Sequence, residues 1–317
     1  MKQSKILGIT IILIVIGIFI KGSIDQSYAI SRGSGTVLTD NWWEALNWIK
    51  NNTSQCSTIA TYWDPGHFIT AIAERSVVFD GASQGERRTI EENGSLSEDE
   101  IKKIAVLDNY EVNKNDGKTK ITTARIQDIA TAFYTDNETI AAKLLEKYKN
   151  PGCNDVYFIA SSDLIGKSVW WSYFATWKPG ISGKQYSYAI VNLAQQKNLP
   201  DQNTKLYIYP ISAQQSFIIV ETNQSLKGLI QQGDKVVEVE YLAYFNENGQ
   251  GKLVKSLDSS FKGLLWLDPS RNVLVFTPPE IQNSMFTRMF LFDGGGLQKF
   301  ELVKNWGGEV KLFKVKL

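Results

Sequence analysis

Ser57-Thr58-Ile59-Ala60-Thr61-Tyr62-Trp63-Asp64-Pro65-Gly66-His67 is the stretch on which the fold of this chain turns. A β-branched, apolar run that stops at Asp-Pro-Gly predicts a buried strand ending in a sharp turn, with Tyr62, Trp63 and Asp64 at its carboxyl end. In open α/β sheets that edge is where ligands bind. An indole N–H only donates hydrogen bonds, a carboxylate only accepts, and a phenol does both. Side by side they can grip a small group that is both donor and acceptor, such as a hydroxyl. The plainer reading of the same residues is a strand end with one core tryptophan and a turn-forming Asp-Pro-Gly.

Outward from this strand, residues 30-185 alternate between helix and strand. Asp40 is placed to cap a helix running to about Asn51, with Trp42, Leu46 and Ile49 at helical spacing. Ser76-Val77-Val78-Phe79 predicts a second strand ending at Asp80-Gly81. Ser97-Glu98-Asp99-Glu100 has capping-box spacing and opens a helix through Val106, and Tyr110 to Lys120 reads as a loop. Helices are expected over Ile121 to Tyr134 and Asn137 to Tyr148, the second behind the capping box Thr135-Asp136-Asn137-Glu138. Val156 to Ala160 follows as a third strand, leading through Ser162, a natural cap, into a helix from Asp163.

Asp163 and Lys167 are four apart, on one helical face, with Trp170, Trp171 and Phe174 on the next turns. Taken alone, that pattern equally describes a surface ion pair on a helix whose aromatics fill a core. Asp64, Asp80 and Asp163 each end a predicted strand, so a parallel sheet would turn all three toward one crevice. From about Lys205 the pattern changes to short β-type runs: Leu206 to Tyr209, Ser216 to Val220, Val236 to Phe245, Gly263 to Leu267, Val273 to Phe276, Met289 to Phe292 and Val310 to Lys316. Gly, Pro, Asn and Asp separate them, as in an antiparallel sandwich or barrel. The expected class is α+β: an N-terminal membrane helix (1-29), an α/β domain with a mostly parallel central sheet flanked by helices (30-185), and a β-rich antiparallel domain (186-317).

Composition sets limits on function. The chain has 317 residues, 43% of them hydrophobic, and a net charge of +1, so it is globular and lacks the basic excess that nucleic acid or anionic lipid would attract. Nine tryptophans within 12% aromatic content suit flat amphipathic contact with carbohydrate, peptide or a membrane interface, and equally a well-filled core. Lys2 and Lys5 precede the apolar run Ile6 to Ile20, which Lys21 follows. This reads as a membrane anchor, or as a signal peptide cleaved near Ser27-Tyr28-Ala29, and in both readings the rest of the chain lies outside the cytoplasm. There, Cys56 and Cys153 precede the first and third strands at the same sheet edge, where they form either a disulfide or two buried thiols. Two distant cysteines and one histidine make no zinc site. With a single histidine there is also no Ser/His/Asp set, and no glycine-rich phosphate motif occurs.

Five segments taken in order resemble the external domain of the catalytic subunit of archaeal oligosaccharyltransferase. They are Asn41-Trp42-Trp43-Glu44-Ala45-Leu46-Asn47-Trp48-Ile49, Tyr62-Trp63-Asp64-Pro65-Gly66-His67, Phe79-Asp80-Gly81-Ala82-Ser83-Gln84, Ser162-Asp163-Leu164-Ile165-Gly166-Lys167, and Ser284-Met285-Phe286-Thr287-Arg288-Met289 with Phe292-Asp293-Gly294. The similarity runs from about residue 40 to the C-terminus, and the N-terminal apolar segment would match the family's last transmembrane helix. The family transfers a lipid-linked oligosaccharide to asparagine in Asn-X-Ser/Thr, and its Trp-Trp-Asp-Tyr-Gly motif holds the Ser/Thr hydroxyl.

The resemblance implies that Trp63 donates to that oxygen and Asp64 accepts its proton. Tyr62 stands at the family's first Trp and Pro65 at its Tyr. Asp163 and Lys167 resemble the family's Asp-Lys motif beside the same pocket. The family's metal-binding acids and donor site lie in a polytopic membrane domain, so this chain is expected to hold no catalytic residue and no cofactor, a divalent metal belonging to the partner. Its expected partners are acceptor polypeptides carrying Asn-X-Ser/Thr, the membrane, and a polytopic membrane glycosyltransferase subunit without which it is inactive. The alternative is a non-enzymatic cell-surface protein that binds peptides or glycans through its aromatic face, or a structural envelope component. The chain's own sequons begin at Asn51, Asn52, Asn93, Asn137 and Asn223.

Overall fold

The computed structural model describes residues 16–17, 19–28, 38–200, 203–223, 225–246 and 250–317. It separates into two compact units, Met1–Trp43 and Glu44–Leu317. In the first, residues 19–28 are helical, and most of the expected apolar anchor lies outside the described residues. Among the described residues no helix is long and apolar enough to cross a membrane. Helix α1 (Asp40–Asn52) is capped by Thr39, not Asp40: the Trp42 N–H donates to the Thr39 hydroxyl at 3.2 Å.

Within the second unit, Ala45, Leu46 and Ile49 of α1 are fully buried. Strands β1 (Thr58–Ala60) and β2 (Ser76–Val77) are parallel, joined by two helical turns over Gly66–Phe68 and Ile69–Ala73. β3 (Arg87–Asn93), β4 (Glu111–Asn115) and β5 (Lys118–Ala124) form a small antiparallel sheet, with helix α2 (Glu98–Ala105) between β3 and β4. The stretch expected to be a loop is therefore a hairpin. Asn115 pairs with Lys118 across Asp116-Gly117, both at positive φ (53° and 71°), the backbone a two-residue hairpin turn requires. The expected capping box at Ser97 and Glu100 is present at the start of α2. Helices α3 (Arg125–Tyr134) and α4 (Glu138–Glu146) follow; α3 begins four residues later than expected because β5 occupies the preceding residues. Asn137 caps α4, its side-chain oxygen accepting from the N–H groups of Thr139 and Ile140.

β6 (Val156–Ser161) is buried at every position and pairs in parallel with β1, Thr58 opposite Val156 and Ala60 opposite Phe158. Beyond it come two short helices, α5 (Asp163–Gly166) and α6 (Ser168–Thr176), in place of one continuous helix. Strands β7 (Ala189–Asn192), β8 (Gln195–Asn198), β9 (Thr204–Ser212), β10 (Gln215–Thr222), β11 (Leu226–Gln232), β12 (Lys235–Phe245), β13 (Gly251–Lys255), β14 (Phe261–Leu267) and β15 (Val273–Thr277) make a second sheet. It is antiparallel except where β12 meets β14. Alternation sets its inward face: Tyr207 and Tyr209, Phe217 and Ile219, and Leu226 and Ile230 point into one cluster.

Met289 to Phe292, expected as a strand, belongs to helix α7 (Met285–Phe292). Ser284 accepts from the Thr287 N–H at its start, and Asp293 in the left-handed region ends it. The last strands, β16 (Phe300–Trp306) and β17 (Val310–Val315), do not join the β-rich region to which they were assigned. They return to the first sheet, whose order is β16-β17-β6-β1-β2, parallel among β6, β1 and β2 and antiparallel from β6 through β17 to β16. One core cluster accordingly mixes Phe133, Phe158, Phe286 and Phe313, with the Phe133 and Phe158 rings stacked 4.4 Å apart.

Candidate functional site

The turn after β1 is fixed from below. Thr58 to Tyr62 are buried, so the chain rises through the sheet and reaches the surface only at Trp63 and Asp64, both half-buried. Gly66 is required by close approach: a Cβ there would lie 2.7 Å from the Asp80 Cβ and 2.8 Å from the Phe79 carbonyl oxygen. This contact locks the turn against the end of the β2 segment. Tyr62 is only 2% exposed and packs edge-on to Phe79, so its phenol belongs to the core and not to a ligand surface. Burial, reinforced by the Asp64 charge, holds the Tyr62 hydroxyl well above the ordinary tyrosine range; a hydrogen bond from Trp63 offsets part of this.

Asp64 faces Lys167, whose Nζ lies 2.9 Å from Asp64 Oδ2 and 2.7 Å from Asp163 Oδ2. The first and third strands of the chain thus deliver carboxylates to one ammonium, because β1 and β6 are neighbours in the sheet. Burial pulls the Lys167 pKa down, but the Asp163 and Asp64 carboxylates outweigh it and hold the group above its ordinary value. Asp163 is positioned from behind by Ser161, whose hydroxyl donates to Oδ1 at 2.5 Å. Ser162, the expected cap, makes no side-chain cap bond. At the break between α5 and α6 the Lys167 N–H donates to the Asp163 carbonyl at 3.3 Å, and the Lys167 carbonyl accepts from the Trp171 N–H at 3.1 Å. Trp171, fully buried, donates its indole N–H to the Leu164 carbonyl at 2.9 Å and anchors the pair of helices. Trp170, one position earlier, is 53% exposed.

Asp80 touches this turn but is used by it. Its Oδ1 accepts from the Ser83 hydroxyl at 2.7 Å and from the N–H groups of Ser83 and Ala82, while Oδ2 lies 3.4 Å from His67 Nδ1. The Ser83 hydroxyl is the main cause that holds the Asp80 carboxyl below the usual carboxylate range. The structure therefore brings Asp64, Asp163 and Lys167 together, pairs Asp80 with His67 at the neighbouring strand end, and buries Tyr62. Trp171 takes the core-filling place that its helical spacing allowed, whereas the role of Ser161 had only one signal, a serine two residues before an aspartate at a strand end. Cys56 and Cys153 are joined by a disulfide, 97 residues apart in sequence, linking the segments that precede β1 and β6.

A second cluster of charge lies elsewhere in the unit and was not visible in the sequence. Asp128 of α3 is fully buried, with Lys147 Nζ 2.7 Å from Oδ2, which also accepts from the hydroxyls of Tyr148 and Thr123. Burial pushes the Asp128 carboxyl up and the Lys147 ammonium down, each against the pull of its partner. Among the described residues no group of three or more His, Cys, Asp or Glu side chains is arranged to hold a metal ion. The cluster at the ends of β1 and β6 presents two carboxylates and one ammonium, with the half-buried Trp63 preceding Asp64 in the chain.

No family model matches the chain. A dolichyl-phosphooligosaccharide-protein glycotransferase of Methanocaldococcus jannaschii is 24% identical over 347 aligned residues, covering 96% of this chain and 36% of that protein. Its counterpart in Methanococcus voltae is 22% identical, covering 84% of this chain and 35% of that protein. The chain is thus related in sequence, over most of its length, to archaeal dolichyl-phosphooligosaccharide-protein glycotransferases, and spans about a third of the length of these relatives. Among solved structures, the C. jejuni pglb C-terminal domain aligns over 87% of this chain and 99% of its own, with a TM-score of 0.45 at 15% identity.

Proposed function

We propose that this chain recognises the acceptor sequon Asn-X-Ser/Thr in an oligosaccharyltransferase for protein N-glycosylation, acting with a polytopic membrane glycosyltransferase portion that supplies the metal and the lipid-linked donor. The observation that carries the reading is the convergence on Lys167 of Asp64 from the β1 turn and Asp163 from the end of β6, beside the half-buried Trp63. The sequence relationship to glycotransferases supplies the reaction class. In this reading the Ser/Thr hydroxyl donates to Asp64 and accepts from the Trp63 indole, which gives up its bond to Tyr62. Lys167 holds the Asp64 carboxylate in place. The apolar N-terminal segment anchors the chain, with the rest outside the cytoplasm, where the Cys56–Cys153 disulfide is stable.

The test is binding of paired peptides, Asn-X-Thr and Asn-X-Ala, to the full chain, followed by tryptophan fluorescence. Losing the hydroxyl leaves paired groups unsatisfied at about 1–3 kcal/mol, or roughly 5- to 150-fold in affinity. Asp64→Ala is expected to remove that discrimination while the fold persists. Equal binding of both peptides by the unaltered chain would overturn the reading and favour an aromatic surface that grips peptides or glycans without a sequon; the exposed Trp170 is the observation behind that second reading.

A further inference from the structure

Far along the chain from the β1 turn, a cavity of about 560 Å³ opens between β12–β14 of the second sheet and helix α7. That volume lies in the range of small-ligand sites, roughly 300–1,000 Å³. Tyr241, Phe245, Trp266 and Phe292 supply its aromatic wall, and Phe245 and Trp266 meet edge to face at 6.3 Å. Lys252 and Arg288 supply positive charge, and among the described residues no acidic side chain lines the cavity. Among the described residues Arg288 makes two long contacts to backbone carbonyls, Asp136 at 3.3 Å and Gly296 at 3.5 Å, and neither it nor Lys252 is paired with a carboxylate. Gln282 also lines the cavity, and its Oε1 is buried without a hydrogen-bond donor, so the amide loses no bond by turning toward a ligand.

We propose that this cavity binds a carboxylated sugar residue. The aromatic faces match the apolar C–H face of a pyranose ring, the guanidinium of Arg288 matches a carboxylate, and the Gln282 and Asn283 amides match ring hydroxyls. A neutral sugar leaves the two cations without a counter-charge. An aryl carboxylate leaves the amides without hydroxyl partners. Charge, aromatic surface and amide groups together select a ligand that is flat, hydroxylated and anionic. Arg288 lies in Ser284-Met285-Phe286-Thr287-Arg288-Met289, a segment that the sequon crevice does not use, so the two sites are independent.

The experiment uses the full chain and two probes, a disaccharide ending in glucuronic acid and the same disaccharide ending in glucose. Saturation-transfer NMR and tryptophan quenching report binding. The acidic probe is expected to bind about tenfold or more tightly than the neutral one, with affinity falling as salt rises. Arg288→Gln is expected to bring the two probes to equal affinity, and Lys252→Gln, which changes only an exposed side chain on β13, to weaken the acidic probe by about threefold. Asp64→Ala leaves sugar binding unchanged, which separates this site from the sequon reading. Equal affinity for both probes, absence of saturable binding, or displacement of the sugar by an Asn-X-Thr peptide or by a peptide with a free C-terminal carboxylate would each overturn the proposal.

Discussion

Lys147 and Lys167 each place Nζ 2.7 Å from an aspartate carboxylate, one inside the molecule and the other at its surface. The Lys147 and Asp128 side chains are 5% and 0% exposed; those of Lys167, Asp64 and Asp163 are 28%, 29% and 37% exposed. The first pair is held by buried bonds: Lys147 also donates to the Ala105 carbonyl, and Asp128 Oδ2 accepts from Tyr148 and Thr123, while Asp128 Oδ1 is buried without a donor. The second pair leaves its carboxylates partly open to solvent. The same ionic contact therefore holds helix α3 to the end of α4 in one place and arranges a surface able to receive a ligand in the other. Solvent access, not pairing distance, separates the two roles.

The sharpest way to break this contrast is to remove each lysine. Lys147→Met leaves a buried carboxylate without its counter-ion and is expected to lower stability by about 3–5 kcal/mol, read by chemical denaturation. The sign of its pH dependence follows from the raised Asp128 carboxyl. A group with a folded pKa above its unfolded value binds more protons when folded, so its stability contribution is lost as pH rises through that window and regained as pH falls. Acidification from about pH 7 toward pH 5 should therefore restore part of the lost stability of Lys147→Met. A variant as stable as the parent would show that the buried pair is dispensable.

Gly66→Ala is expected to have an intermediate effect. The added methyl meets Asp80 and the Phe79 backbone at under 3 Å, and no flexible side-chain end is there to move aside. A loss of about 1–3 kcal/mol is expected, together with lost sequon discrimination as Asp64 shifts with the turn. Preserved discrimination in this variant would show that the turn does not position the ligand.

What the sequence made legible follows from where physical signals are local. The strand into Asp-Pro-Gly, the capping box at Ser97, and the helix that starts at Asp163 are each set by a few adjacent residues, and each occurs where expected. β4 was opaque because all five of its residues are exposed, which leaves no apolar alternation; only Asp116-Gly117 signalled a hairpin. Met289 to Phe292 read as a strand because four apolar-rich residues carry no period, whereas the cap at Ser284 fixes a helix. The return of β16 and β17 to the first sheet is a long-range pairing that no local pattern encodes. The closeness of Asp64 and Asp163 followed from their places at the ends of neighbouring strands and that of Lys167 from its four-residue spacing, while the withdrawal of Tyr62 into the core depended on Phe79 packing over it. The meeting of Asp128 with Lys147 rests on two helices docking and had no sequence signature.

Lys167→Met is expected to separate stability from recognition. Exposed pairs contribute about 0–1 kcal/mol, so the melting temperature should barely move. Discrimination between Asn-X-Thr and Asn-X-Ala should fall, because Asp64 loses the cation that fixes its carboxylate. In the parent chain, a lysine with a raised folded pKa contributes fully below its unfolded value and is lost only as pH rises through the folded one. Between about pH 6 and 9 discrimination should therefore stay flat. A drop within that range would show that the charge on Lys167 is not what sets discrimination.

The smallest effect is expected from Asp163→Asn, and it tests which of the two carboxylates is the binding one. The amide oxygen can still accept from Ser161, and Lys167 keeps Asp64 at 2.9 Å, so both the helix start and the crevice should persist. Stability should change by under about 1 kcal/mol. Without the competing Asp163 charge, Lys167 presses more fully on Asp64, which lowers that carboxylate's capacity to accept a hydroxyl without abolishing it. Peptide discrimination should fall by about two- to fivefold, against complete loss in Asp64→Ala. An Asp163→Asn variant that loses discrimination completely would make Asp163 the direct acceptor and move the ligand from the β1 turn to the start of α5.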